Sequence, residues 1–355
     1  MVSTQTALSF KNLTREPTEF TLKRAQAALQ SDAADLGVCS ALKSIRPQFD
    51  LHLFERLNST STRLWEMLAQ GYGAGTVVIA KAQSSGRGQR GRIWHSPPGG
   101  LYLSLALEPN WPVTHAAQLT CLSAWGIATA LNNLGLPIQI KWPNDLFFEG
   151  KKLGGILTET KVVQSPPNPQ AALNGNRAPS CIKQAVIGVG MNWHNSPPST
   201  GISLVKILES FPKSVARIKI SCLEMLSALV LRGILQGVCF QQRAGSQVFM
   251  KDYGKLLTQF GKAVSLDRKQ LRQAFLDGDL KTSLLLSNLS NCSGEVVGVS
   301  EEGYLKVALK SPRRAPPVKS SYSRYSDSGD RDENILLIRP GSHLIRGLTQ
   351  GGGDA

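Results

Sequence analysis

Two apolar runs suited to a sheet, TVVIAKAQ (76–83) and LYLSLAL (101–107), bracket a loop in which Arg87, Arg90 and Arg92 alternate with Gly86, Gly88 and Gly91. The first run reads as a buried strand, and the second alternates before turning wholly apolar, as a half-buried to buried strand does. The fold must therefore carry a basic loop straight into its core sheet. Glycine lets successive backbone N–H groups turn toward one point, because it tolerates φ > 0 without a Cβ clash. Arginine adds a planar fork that holds phosphate oxygens in pairs. The mixture suits a polyanion; on this segment alone a nucleotide phosphate, a nucleic-acid contact and a solvated basic loop all fit.

The 355 residues, 41% of them hydrophobic, are enough for a sizeable core and for two domains with appendages. Forty basic against 25 acidic residues give a formal charge of +15, which favours anionic partners without choosing among them. The six cysteines are scattered with no CxxC spacing, so neither a disulfide scaffold nor a zinc site is expected. His95, His115 and His194 are isolated, and no metal cluster is read. No run reaches the ~18 apolar residues of a membrane helix. The Ser/Thr-rich start lacks the apolar centre of a secretory signal. The cytoplasm is the expected compartment, with an organellar transit peptide left open.

Along the chain, residues 1–50 offer one weak helical pattern and no second recognition helix, so DNA binding by this segment is not expected. LHLFERL (51–57) alternates like a strand and ends in Asn58, Ser59, Thr60, Ser61 and Thr62, more hydroxyls than the N-cap of the following amphipathic helix requires. A core helix is expected from Ala116 to Leu134. IQIKW and ILTET read as strands, with turns at Pro143–Asp145 and around Glu149–Gly150. Residues 163–183 read as a loop insertion. QAVIGVGMNWH reads as a strand whose Gly188 and Gly190 suggest close approach of a ligand or a backbone. An apolar helix from about 215 to 242, interrupted by Gly233 and Gly237, precedes short β segments, a hairpin at 301–303 and a polar stretch at 311–333 without expected structure.

With these residues in hand, the chain resembles the biotin–protein ligases. The matching motifs are GRGQRGRIWHSP (86–97), KWPNDL (141–146), KKLGGIL (151–157) and GVGMN (188–192), in the family's order. The resemblance covers about residues 51–346 and implies an α+β fold: a mixed β-sheet catalytic domain packed with helices (biotin/lipoate ligase-like) plus a small C-terminal SH3-like β-barrel. The expected division is an extension at 1–50, a catalytic domain at 51–256 and a barrel at 257–346. The single-function type without a DNA-binding domain is expected.

The resemblance further implies ATP, biotin and Mg2+, and two half-reactions: formation of biotinyl-5′-adenylate, then transfer of biotin to a lysine of biotin carboxyl carrier protein, the acetyl-CoA carboxylase subunit. Two anions must meet, so fixed cations and oriented N–H groups are needed. Lys152, Arg87 and Asp145 are the expected catalytic residues. Ser59, Thr60, Gln83, Gly86, Arg87, Lys152, Gly155 and Gly188 are expected to hold biotin. Arg87, Gly88, Arg90, Arg92, Trp94, Lys141, Asn144, Lys152 and Asn192 are expected at the nucleotide, with Arg87 closing over the phosphates and Trp94 against the adenine. Two departures stand out: Gln89 where the family often has arginine, and Ser61 where it often has asparagine. A lipoate or octanoate ligase or transferase of the same fold, and a nucleic-acid-binding regulator, are the alternatives. No membrane partner is expected, and monomer and homodimer remain equally open.

Overall fold

The computed structural model describes residues 19–39, 47–164, 180–211, 219–266, 268–276, 280–281, 292–309 and 335–340. The chain divides into two compact units, 1–243 and 244–355, so the division falls before the expected 256/257 boundary. The cause is helix α6 (Ser246–Gly254), which packs on a strand of the second unit.

The first unit is built on an eight-stranded mixed sheet. Its strands are β1 (Asp50–Leu57), β2 (Thr76–Gln83), β3 (Leu101–Leu107), β4 (Trp111–Pro112), β5 (Gln139–Lys141), β6 (Asp145–Phe148), β7 (Lys151–Gln164) and β8 (Ser180–Met191). The order is β1-β2-β3-β8-β7-β6-β5, with β4 on β8. Only β1 and β2 run parallel, because helix α2 (Thr60–Ala69) crosses between them; the other pairs are antiparallel. Ser59 caps α2 by accepting from the Thr62 N–H at 3.5 Å. Leu64, Met67 and Leu68 of α2 pack on Val78, Ala106 and Val186 of the sheet.

Helix α3 (Ala116–Asn133) is apolar nearly all round and packs along β5 to β8. Helix α4 (Leu204–Ser210) follows β8. Helix α5 (Leu223–Ala244) is continuous, so Gly233 and Gly237 do not break it. They let it lie backbone to backbone on α3: a Cβ on Gly237 would fall 2.2 Å from the Leu122 carbonyl oxygen, and one on Gly126 1.9 Å from that of Gly233. Contrary to the expectation from the sequence, α5 is long and apolar enough to cross a membrane, with a mean hydropathy of 1.5, but 67% of that window is buried inside the unit.

The described part of the N-terminal extension belongs to this unit. Helix α1 (Leu22–Leu29) is tied to α5 by the buried Glu224 carboxylate, which accepts from the Thr21 N–H at 3.2 Å and pairs with Arg24 at 3.3 Å. Gln236 of α5 accepts from Cys39 N–H at 2.6 Å and donates to the Gly126 carbonyl at 3.2 Å.

Two strand readings change. Between IQIKW and ILTET the chain forms an additional strand, β6, and turns at Glu149 and Gly150, whose φ of 46° and 77° suit a two-residue hairpin. At 163–183 the expected loop is strand at both ends, since Val163 pairs with Cys181 and Gln164 with Ser180; its centre, 165–179, lies outside the described residues. The 311–333 stretch also lies outside them.

The second unit is a five-stranded antiparallel sheet of β9 (Ala263–Leu266), β10 (Leu280–Lys281), β11 (Cys292–Val299), β12 (Leu305–Leu309) and β13 (Ile335–Ile338), in the order β10-β13-β12-β11-β9. Helix α6 packs on β11, and α7 (Arg268–Leu276) lies between β9 and β10 along the chain. The hairpin at 301–303 joins β11 and β12 as expected.

Candidate active site

One cleft on the first unit brings most of the sequence-predicted residues together. Its walls come from the start of α2 (Ser59, Thr60), the end of β2 (Gln83), the flap that follows (Arg87, Gly88, Arg92, Trp94), and the β6, β7 and β8 strands. From the strands come Asn144, just before β6, with Asp145, Lys152, Gly155 and Gly188. Ser61, Gln89, Ile93, Ile156, Leu157 and Val189 also line it and were not predicted as site residues; Gly190, read from the sequence as a point of close approach, lines it too.

One end of the cleft is a hydroxyl and amide relay. Ser104 Oγ donates to Thr60 Oγ1 at 2.8 Å, and Thr60 Oγ1 donates to Gln83 Oε1 at 3.2 Å. Gln83 Nε2 donates to Ser96 Oγ at 2.8 Å, which donates to the Trp94 carbonyl at 2.9 Å. With the Ser104 proton committed, Ser61 donates to Ser104 over 3.1 Å. Each member is thereby held in one rotamer and one polarity. Gly188 forms the floor beneath them: a Cβ there would lie 2.8 Å from Ser61 Oγ.

The other end is ionic. Lys152 Nζ pairs with Asp145 Oδ1 at 2.8 Å and stands 5.2 Å from the Trp94 ring centre. A strand irregularity puts the lysine there. Alternation along β7 places Gly155, Leu157 and Glu159 on the cleft face and would turn Lys152 away. Between the pairs Leu146–Gly154 and Phe147–Lys152 the register shifts by one residue, and the extra residue, Leu153, restores Lys152 to the Asp145 side. The Lys152 backbone is held by the Thr200 carbonyl and the Ile202 N–H, each at 3.0 Å.

Lys141 lies close by with its Nζ 5.4 Å from the Phe147 ring centre. Burial lowers its pKa from the ordinary lysine value; Asp145 opposes that, while the charges of Lys152 and Arg92 add to it. Lys152 thus pairs directly with Asp145, while Lys141, expected at the nucleotide, does not itself line the cleft. Tyr102, on β3, is buried and donates to the Pro97 carbonyl at 2.7 Å; burial raises its pKa.

Several predicted residues stand elsewhere. Arg87 does not reach toward Lys152: its guanidinium pairs with Glu159 at 2.7 and 3.1 Å. Trp94 lies against Gly190, where a Cβ would fall 2.4 Å from Nε1, and that Nε1 is buried with no hydrogen-bond partner. Asn192 is a brace outside the cleft, its Nδ2 donating to the Lys152 and Ile202 carbonyls at 3.4 and 3.3 Å and its Oδ1 accepting from Asn195 at 2.9 Å. Gly86 makes room for the Trp94 carbonyl, 2.3 Å from where its Cβ would be. Arg90, at the flap turn with φ 61°, does not line the cleft. Asn144 lines it while tying the turn to β7, its Nδ2 donating to the Ile156 carbonyl at 2.7 Å. Glu159 was missed; its only signal is a lone acid two residues beyond Leu157 on the cleft-facing alternation.

Residues 53–167, which span the relay, the flap and Lys152, match the model of the biotin/lipoate A/B protein ligase family. This stretch of the first unit is therefore similar to that family. Biotin/lipoate ligase relatives include the bifunctional ligase/repressor BirA of Bacillus subtilis, 30% identical over 192 residues, covering 53% of this chain and 51% of that protein. The biotin–[acetyl-CoA-carboxylase] ligase of Paracoccus denitrificans is 32% identical over 153 residues, covering 42% of this chain and 57% of that protein. The chain thus spans about half the length of the curated relatives it matches. The ligase fold is shared with the biotin protein ligase from Aquifex aeolicus in complex with biotin and ATP, at a TM-score of 0.52 and 21% identity over 82% of this chain and 97% of that one.

Proposed function

We propose that this chain is an ATP-dependent biotin–protein ligase, which makes biotinyl-5′-adenylate and passes biotin to a lysine of a biotin carboxyl carrier protein. The observation that carries the reading is the two-ended cleft: a fixed-polarity hydroxyl and amide relay at one end, and the Lys152–Asp145 ion pair beside Trp94 at the other. Biotin has matching ends, a ureido ring with two N–H donors and one carbonyl, and a carboxylate on an apolar chain. The names of the curated relatives support the same chemistry.

In this reading the ring lies over Gly188 against Thr60 and Gln83, with Ser59 beside them, and the chain passes Gly155 and Trp94. Lys152 exchanges its contact with Asp145 for the biotin carboxylate and the α-phosphate, lowering the repulsion between two anions. Arg92 and Lys141 add positive potential for the nucleotide. A carboxylate oxygen attacks the α-phosphorus and the bond to pyrophosphate breaks. A carrier lysine amine then attacks the mixed-anhydride carbonyl, AMP leaves, and the amine proton passes to a base. Asp145, beside Lys152, is the carboxylate positioned to receive it. Mg2+ would arrive on the ATP phosphates as part of the substrate.

The test is biotin-dependent exchange of labelled pyrophosphate into ATP, with lipoate as the competing acid because the family model spans both ligase types. Exchange with biotin and none with lipoate is expected. Lys152→Met should lower the exchange rate on the order of 10²–10³-fold, as loss of a transition-state donor does. A rate within a few-fold of the parent would remove Lys152 from the chemistry, and exchange with lipoate alone would reassign the substrate.

A further inference from the structure

The flap is a hairpin closed on itself: Gly88 N–H donates to the Arg92 carbonyl at 2.7 Å and Trp94 N–H to the Gly86 carbonyl at 2.8 Å. Neither bond reaches the sheet. Arg87 does, crossing 72 residues of sequence to Glu159 on β7, with Nη2–Oε1 at 2.7 Å and Nη1–Oε2 at 3.1 Å. Two parallel N–H···O bonds fix the plane of the guanidinium as well as its position. The side chains are 46% and 23% exposed, so solvent screens the pair less than an open surface pair.

The location of the pair matters. Gly155, Leu157 and Glu159 face the cleft and pair with Gly190, Gly188 and Val186 of β8. Glu159 therefore lies four residues, about 13 Å of strand, beyond Gly155, the cross-strand partner of Asp145. Arg87 thus anchors the flap near the hydroxyl end, far from the ionic end where the nucleotide phosphates would lie.

We propose that Glu159 is a positioning residue that clasps the flap through Arg87, and that this clasp sets the affinity of the cleft for the ring of its substrate. The substrate is taken from the ligase reading above; the clasp itself is not. The ion pair restrains Arg87 and its neighbours Gly86 and Gly88 above the Thr60–Gln83 relay. Without it the flap opens more often, and the ring dissociates faster while the chemistry at Lys152 is unchanged once the site is filled.

The experiment has two arms on the full chain. In the first, ligand-free parent and Glu159→Gln are nicked with trypsin, and cleavage after Arg90 and Arg92 is followed by mass spectrometry. The variant should be cut about tenfold faster, the ratio expected when one charge-assisted contact holding a segment is lost. In the second, the KM for biotin in pyrophosphate exchange should rise about tenfold with kcat within about twofold, the split of a binding effect. The exchanged pair, Arg87→Glu with Glu159→Arg, should recover both readouts. A variant with merely weakened folding would melt early and would not be rescued; should Glu159→Gln do so, Glu159→Asp carries the same test. Unchanged nicking, a fall in kcat at constant KM, or no recovery in the exchanged pair overturns the clasp. Absence of biotin-dependent exchange in the parent overturns the ligase reading instead, and the trypsin arm then decides the clasp alone.

Discussion

Substituting Gly190 by alanine tests whether the cleft depends on where Trp94 lies. The new Cβ would lie 2.4 Å from Trp94 Nε1 and 2.5 Å from Cε2, against 3.4–4 Å for ordinary contact. The strand cannot yield easily, because Gly190 is paired to Tyr102 on one side and Gly155 on the other. The indole must therefore withdraw by about 1 Å, as overfilled sites do, at a cost of about 1–3 kcal/mol. Its ring centre is 5.2 Å from Lys152 Nζ, so the same movement disturbs the ammonium and narrows the path for the chain of the substrate. A misplacement of about 1 Å at a reacting group costs on the order of 10²-fold in rate. The assay is biotin-dependent pyrophosphate exchange beside thermal denaturation, with Gly73→Ala as control, since a Cβ there meets nothing within 4 Å. If Gly190→Ala exchanges within threefold of the parent, the indole is not held where the reasoning needs it.

Two further outcomes concern stability. Burial raises the Tyr102 pKa above the ordinary 10.0, so above that value the unfolded chain binds fewer protons than the folded one. The tyrosine contribution is therefore complete below about pH 10 and lost as pH rises beyond it; urea unfolding at pH 8 and pH 10.5 should show this fall, and Tyr102→Phe should lessen it while losing about 1 kcal/mol at pH 8 with the bond to Pro97. A fall of the same size in the phenylalanine variant would refute the assignment. Glu224→Ala leaves the Thr21 N–H and Arg24 without their buried acceptor and should cost about 1–3 kcal/mol in urea unfolding; a loss under about 0.5 kcal/mol would mean that the extension does not brace α5.

Most strands of the first unit were legible because alternation is a local property: LHLFERL, TVVIAKAQ, LYLSLAL and the run ending in GVGM form β1, β2, β3 and β8. The hydroxyls after β1 were legible as an excess over capping, and the structure divides them: Ser59 caps α2 while Thr60 and Ser61 turn into the relay. Gly233 and Gly237 were misread as interruptions, because their reason lies on α3, more than a hundred residues away. Asn192 was drawn into the site by its motif, although its amide is committed to neighbouring carbonyls.

The chain by itself singled out the arginine flap and the charges at Asp145 and Lys152, since residue type says which groups can carry charge, while Gln83 came only with the resemblance. It could not say which way each one faces. Along a strand the facing of every side chain follows from register, and one surplus residue, Leu153, reverses it for Lys152. Pairing of β6, β7 and β8 decided that, and the same pairing put Glu159 within reach of Arg87. Register is a relation between distant segments, so it exists only once the sheet has formed.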